Sequence, residues 1–375
     1  MHLHDRVGRA RPGRRPRSVP RGVRREPDAR GYRARRASGG RSAGDRRGRI
    51  ADRDRRVREP LSDDCALLRG KADRPHLGQD PSGGRTPLRP SPGRGAGGRG
   101  RPGRGGPLNG LLRLDRDGPG DAVARVTLTR PEVHNAFNAS LIAEVRQVFA
   151  ALAREGPGDL RAVVIAGDGP SFCAGADVAW MRAAMSLDTE ANEQDAMAMA
   201  EMFETIDTCP APLIARVHGV ALGGGMGLCA VSDLVIAESG TRFGFTETRL
   251  GILPAVIAPF VIAKIGESHA RALFPGGRRF DAVRAQRIGL VHEVVEGEAA
   301  LDAAVESAIG DVLAAGPTAA RAAKAIVREV RGLPHGSSKW HTARVVARQR
   351  QTEEAQEGFR AFSEKRPPAW TPDKD

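Results

Sequence analysis

Ser171-Phe172-Cys173-Ala174-Gly175-Ala176-Asp177 is answered further along the chain by His218-Gly219-Val220-Ala221-Leu222-Gly223-Gly224-Gly225-Met226-Gly227. Each stretch is a glycine-marked turn with apolar flanks, where bare backbone N–H groups can be aimed at one point. Gly175 permits a tight turn, and Ala176 presents an amide with almost no side chain to obstruct it. Asp177 is placed to cap the helix that follows, with Val178, Trp180 and Met181 packing it down. Taken alone, Gly-Ala-Asp fits an ordinary strand-to-helix turn better than a site, and the signal gains force only from its companions. The glycines at 223–225 follow a strand and open a helix, whose first N–H groups are unpaired and carry partial positive charge. A phosphate cradle would read similarly, but no Lys-Ser/Thr follows and the GxGxxG spacing is not met. Two amides from separate turns are what a developing oxyanion requires. A third stretch, Phe243-Gly244-Phe245-Thr246-Glu247, sets one carboxyl among apolar residues, where the charged form is disfavoured and a proton can be exchanged near neutrality.

The rest of the chain is uneven. Of its 375 residues, 1–107 hold about half of the 59 Lys and Arg but only about a quarter of the 45 Asp and Glu. The net charge of +14 therefore belongs to that segment, and 108–375 is mildly acidic. Residues 1–107 are crowded with Arg, Gly and Pro, and Lys71 is their single lysine. With few periodic apolar positions they cannot bury enough surface to offset the entropy of ordering, so this segment is expected to be disordered. An Arg/Gly-rich nucleic-acid arm would be drawn to phosphate by charge, yet Tyr32 is its one strong stacking ring. Scattered acids and great length argue against a transit peptide. Arginine without lysine is what GC-rich upstream DNA yields when a start codon is assigned too early, and that is the expectation here.

Cys65, Cys173, Cys209 and Cys229 show neither CxxC pairing nor metal spacing. His134, His218 and His292 likewise lack ligand spacing, so no metal is expected. No apolar run reaches the about eighteen residues of a membrane span. Ile252–Ile265 comes nearest but is broken by Pro254, Pro259 and Lys264. A soluble, cytoplasmic protein without membrane contact is the expectation.

Ordered sequence is expected from Leu108. Ala122–Thr129 alternates as a strand and stops at Arg130-Pro131. Ser140 is expected to cap a helix to about Arg154 with an apolar face through Leu141, Val145, Val148, Phe149 and Leu152. Ala162–Ala166, Leu213–Val217 and Leu234–Ala237 read as short buried strands, and Asp188–Thr208 as a long helix. Alternating strands and helices with a helical tail argue for an α/β core. The domains expected are 1–107 disordered, 108–305 an α/β core, and 306–375 a helical C-terminal region.

Together, the two glycine turns and the Phe243–Glu247 stretch resemble the enoyl-CoA hydratase/isomerase (crotonase) family. The resemblance covers nearly all of 108–370 and none of 1–107. Gly223–Asp233, Leu253–Gly266 and Glu357–Trp370 are most similar to its methylglutaconyl-CoA and isohexenylglutaconyl-CoA hydratase branch. The resemblance implies a crotonase-like spiral of ββα units, with a helical C-terminal region used in a homotrimer or a hexamer of two trimers. It implies an acyl-CoA thioester as substrate, with CoA part of the substrate and no separate cofactor. Carried over by motif position, Ala176 and Gly224 supply the oxyanion amides and Glu247 the catalytic carboxyl. Asp177, Val178 and Ala179 would line the CoA path, with Glu132, Val133 and His134 on its other side and Phe362 and Lys365 reaching it from the C-terminal segment.

One departure matters. Typical hydratases of the family carry a second glutamate three positions after the middle glycine, where this chain has Gly227. Glycine transfers no proton, which by itself favours a single-glutamate double-bond isomerase. The resemblance to the branched-substrate hydratases, which also lack that glutamate, favours hydration. Glu193, Asp195, Glu201 and Glu204 lie on one expected helix, mostly as its solvated face, with one able to replace the missing base. From another class, an RNA-binding protein on the same scaffold is the competing reading; the acidic body disfavours nucleic acid.

Overall fold

The computed structural model describes residues 110–371, and the segment expected to be disordered, 1–107, lies outside the described residues. The larger sheet has six strands in the order β1-β2-β3-β4-β6-β9. These are β1 (Leu112–Asp117), β2 (Val123–Leu128), β3 (Ala162–Gly167), β4 (Leu213–Val217), β6 (Leu234–Glu238) and β9 (Glu293–Val295). Only β1 is antiparallel to its neighbour. From β2 onward every pairing is parallel. A parallel sheet covered on both faces needs strands that are apolar throughout, and Ala162-Val163-Val164-Ile165-Ala166 is such a run.

A smaller sheet follows the order β5-β7-β8, from β5 (Val220–Leu222), β7 (Arg242–Gly244) and β8 (Phe280–Asp281). Two single-residue parallel bridges extend it, Cys173 to Ala221 and Phe137 to Ala176. Each long strand therefore feeds a short segment in the second layer and then a helix. β2 leads to Phe137 and α1 (Ala139–Leu152), and β3 leads to Cys173 and α2 (Val178–Ala184). β4 leads to β5 and α4 (Gly224–Val231), and β6 to β7 and α5 (Ala258–Leu273). Repeated with parallel pairing in both layers, this is the expected spiral of ββα units.

The period-two alternation of β3 divides its side chains between two cores. Val163 and Ile165 face the space between the sheets, with Phe137, Phe172, Phe203, Phe243 and Phe245. Ala162 and Val164 face outward, with Val123, Ile214 and Ile236, onto α7 (Glu298–Ala314). That helix returns Leu301, Val305, Ile309 and Leu313, each buried and contributing about 1.5–3 kcal/mol of transfer free energy. The boundary expected between 305 and 306 falls inside α7.

Element edges follow local chemistry. The first helix is capped by Asn138, whose side chain accepts from the Leu141 amide, and not by Ser140 as expected, because Asn138 holds the extended backbone a cap needs. α3 (Thr189–Asp207) is capped by Asp188. The strands β7, β8 and β9, each of two or three residues, escape periodicity reading. The tail forms α8 (Pro317–Val330), α9 (His335–Arg350) and α10 (Glu353–Glu364).

Candidate functional site

The turn 171–177 is held from both sides. On one side it runs beside β5: the Cys173 amide donates to Val220 and the Leu222 amide donates back to Cys173, each at 3.0 Å. On the other, the Ala174 amide donates to the His134 carbonyl at 2.9 Å. Phe137 then pairs with the two residues flanking Ala176, its amide donating to Gly175 at 2.7 Å and its carbonyl accepting from Asp177 at 2.8 Å. In such a bridge the middle residue's own amide points away from its partner. The Ala176 N–H accordingly faces away from Phe137 and donates to no protein group among the described residues.

Gly224 begins α4, so its N–H has no carbonyl one turn earlier to meet; it too donates to no group among the described residues. Gly223 before it has φ +48°, and its amide donates to Gly244. The two turns touch: a Cβ placed on Gly175 would lie 3.4 Å from the Gly224 nitrogen. A Cβ placed on Gly223 would lie 3.6 Å from the Gly175 Cα and 3.4 Å from Oε1 of Glu247. Two unpaired amides and one carboxyl from three distant parts of the chain thus share one small region.

Glu247 opens a short 3-10 turn, Glu247–Leu250, after the buried Phe245. Its Oε2 is shielded from solvent and without a hydrogen-bond partner. Burial pushes its carboxyl above the ordinary glutamate range, against a smaller opposing pull from its own backbone amide.

Gly227 lies one turn into α4, where a Cβ would fall 2.5 Å from Ile257 Cγ2 and 2.6 Å from Phe203 Cζ. Phe203 is fully buried and set edge-on to Phe137, with ring centroids 6.1 Å apart. The space a side chain at 227 would need is therefore filled with hydrocarbon. On α3, Glu193, Glu201 and Glu204 are exposed, Glu201 in an ion pair with Arg146. Asp195 lines a groove between α1 and α3 with Ile142, Arg146 and Ala198.

The structure brings some of the expected binding residues to the turns and sets others elsewhere. Glu132, Val133 and His134 form and follow a 3-10 turn beside residues 171–174, with His134 Nδ1 2.9 Å from Ser171 Oγ. Asp177 caps α2, its Oδ1 accepting from Ala179, and Val178 and Ala179 begin that helix. Phe362 is 85% exposed and lines a groove with Phe359 and Trp370 on the C-terminal helices; Lys365 is the left-handed cap of α10. His218 meets the Gly169 carbonyl, and His292 Nδ1 accepts from Val235. The thiols of Cys173 and Cys229 are buried, which pushes both up to about 12.

Sequence reading missed Arg130, taken there only as a strand end. It is buried beside the turn and ion-paired to Asp177. It also missed Phe203 and Ile257 as the fillers of position 227. Only an arginine stranded at the end of an apolar strand hinted at the first, and nothing local marks the others.

The chain resembles known proteins in sequence and fold. A family model described as enoyl-CoA hydratase/isomerase matches residues 119–373. Enoyl-CoA hydratase AKT6-1 of Alternaria alternata is 33% identical over 207 residues, 55% of this chain and 67% of its own length. Among solved structures, an enoyl-CoA hydratase from Shewanella pealeana is 34% identical with a TM-score of 0.65, spanning 69% of this chain and 96% of its own. AtuE of Pseudomonas aeruginosa is 37% identical with a TM-score of 0.67, spanning 70% of this chain and all of its own. Among the described residues no helix is long and apolar enough to cross a membrane. By the extent of these matches, the chain belongs to the enoyl-CoA hydratase/isomerase family.

Proposed function

We propose that the protein is an enoyl-CoA hydratase, adding water across the α,β double bond of an acyl-CoA thioester. The observation that carries this reading is the meeting of Gly175, Gly223 and the Glu247 carboxyl, with unpaired amides at Ala176 and Gly224 beside it. The Glu247 carboxylate takes a proton from water as its oxygen bonds to the β-carbon. The double-bond electrons move to the thioester oxygen, which the two amides stabilise; in other enzymes one such donor is worth about 3–4 kcal/mol. The electrons return as Glu247 delivers the proton to the α-carbon, leaving a 3-hydroxyacyl-CoA and an unchanged carboxylate. A carboxyl held above its ordinary range suits both halves of that exchange. Asp177 to Ala179 and Glu132 to His134 are assigned to the CoA path, Phe362 and Lys365 to its outer end, and a homotrimer or hexamer to the assembly. A branched, methylglutaconyl-type acyl group is the substrate we favour.

The filled space at Gly227 supports a second reading, a double-bond isomerase working through Glu247 alone. A 2-enoyl-CoA panel in oxygen-18 water separates the two. Labelled 3-hydroxyacyl-CoA is expected, and a shifted double bond without label would replace hydration by isomerisation. Glu247→Gln should lower turnover by at least about 100-fold; full activity in that variant would remove Glu247 from the chemistry.

A further inference from the structure

Arg130 follows β2 directly, and its side chain turns back beneath the segment that carries Phe137. One guanidinium nitrogen, Nη1, donates to the Ala136 carbonyl, and the other, Nη2, reaches Asp177 Oδ2 at 2.8 Å. The ion pair is nearly enclosed, with side-chain exposures of 11% and 12%. Its ends are bound in turn. The Arg130 amide donates to Asn135 Oδ1 at 2.8 Å, and Asn135 Nδ2 donates to the carbonyls of Asp168 and Ser171. Asp177 Oδ1 accepts from Ala179 at 2.8 Å. Burial pushes the Asp177 carboxyl up, but the Arg130 and Ala179 hydrogen bonds outweigh it and hold the carboxyl below its ordinary range.

The placement is specific. Ala136 precedes Phe137 and Asp177 follows Ala176, so one planar guanidinium spans both strands of the Phe137–Ala176 bridge. That bridge is what turns the Ala176 amide away from Phe137. A buried ion pair adds little net stability over hydrocarbon of the same shape, because desolvation consumes its attraction. What a fixed two-armed fork supplies is geometry.

We infer that Arg130 is a positioning residue, aiming the Ala176 amide at the thioester oxygen through its ion pair with Asp177. This rests on the reading of Ala176 and Gly224 as the oxyanion donors. Misplacing such a group by about 1 Å costs on the order of 100-fold in rate.

The test uses the full chain and dimethylaminocinnamoyl-CoA, a conjugated thioester whose absorption moves to longer wavelength as its carbonyl is polarised. The wild type should bind it with a clear red shift, and Glu247→Gln should keep the shift while losing turnover. Asp177→Asn keeps the α2 cap and loses the charge; Arg130→Met loses both arms. Both should bind the probe with a reduced shift and lower kcat by about 10–100-fold; in Arg130→Met, whose residue lies outside the assigned CoA path, KM should change far less. Arg130→Lys, which keeps the charge but not the fork, should fall between. If Arg130→Met does not fold, Asp177→Asn carries the test. A folded Asp177→Asn with the wild-type shift and kcat would overturn the role of the clamp. A wild type that turns over substrate yet shows no red shift would instead overturn the oxyanion reading, and the clamp's role with it.

Discussion

Glu247 is the residue on which burial acts most directly. Its Oε2 is shielded from solvent and has no hydrogen-bond partner among the described residues, so burial disfavours the carboxylate relative to the protonated acid. A group whose folded pKa lies above its unfolded value contributes stability below the ordinary glutamate range and loses it as pH rises through the folded value. Glu247→Gln removes that titration. In acid the variant and the wild type should melt together, and toward neutral pH the variant should melt higher. Calorimetry at both ends of the range checks this, and parallel curves would mean the carboxyl is hydrated in solution. The same substitution thus gains stability where it loses chemistry, as expected when a site holds a group in an unfavourable state.

At the scale of the element, α4 owes its shape to what surrounds it. Alanine ordinarily improves a helix interior over glycine by about 0.5–1 kcal/mol. At 227 the sign should reverse, because even one methyl group meets Ile257 and Phe203 inside the core. Gly227→Ala should destabilise by about 1–3 kcal/mol in urea unfolding, and a neutral or stabilising effect would show that this wall yields. Glutamate there is barred twice, by volume and by burial of a second charge. At Gly225 the obstacle is backbone: a Cβ would collide with the Cys173 carbonyl, part of the turn that carries Ala176. Gly225→Ala should therefore cost activity beyond its cost in stability, read as a fall in kcat in protein that remains folded.

At the scale of the whole molecule, charged side chains tie the C-terminal helices to the core through backbone carbonyls and amides. Arg161 donates to the carbonyls of Leu313 and Ala315 at the end of α7, and Arg321 to those of Glu155, Gly156 and Leu160. Lys324 pairs with Asp233 at the start of β6. Most telling is Glu354 of α10, whose carboxylate accepts from the Thr318 and Ala319 amides and so caps α8 from another helix. Glu354→Ala should cost about 1 kcal/mol and speed hydrogen exchange at Thr318 and Ala319, with Glu354→Gln in between. Unchanged exchange at those amides would mean that Pro317 and local packing hold the helix start unaided.

What the amino-acid sequence determined alone is the set of parts. The strand at 122–129 shows as an alternating run, those at 162–166, 213–217 and 234–237 as short apolar runs, α3 as a long stretch rich in Ala, Met and Glu, and the glycine turns and the apolar setting of Glu247 as local composition. Such features are written within a few neighbouring residues, where propensity and period act. The tertiary structure alone decided which parts meet: Gly175 against Gly223 and Glu247, Phe137 across from Ala176, Arg130 on Asp177, Phe203 and Ile257 in the space at Gly227. These partners lie many residues apart, and their contacts arise from packing both layers of the spiral at once. No local pattern records which distant side chain will fill a given space.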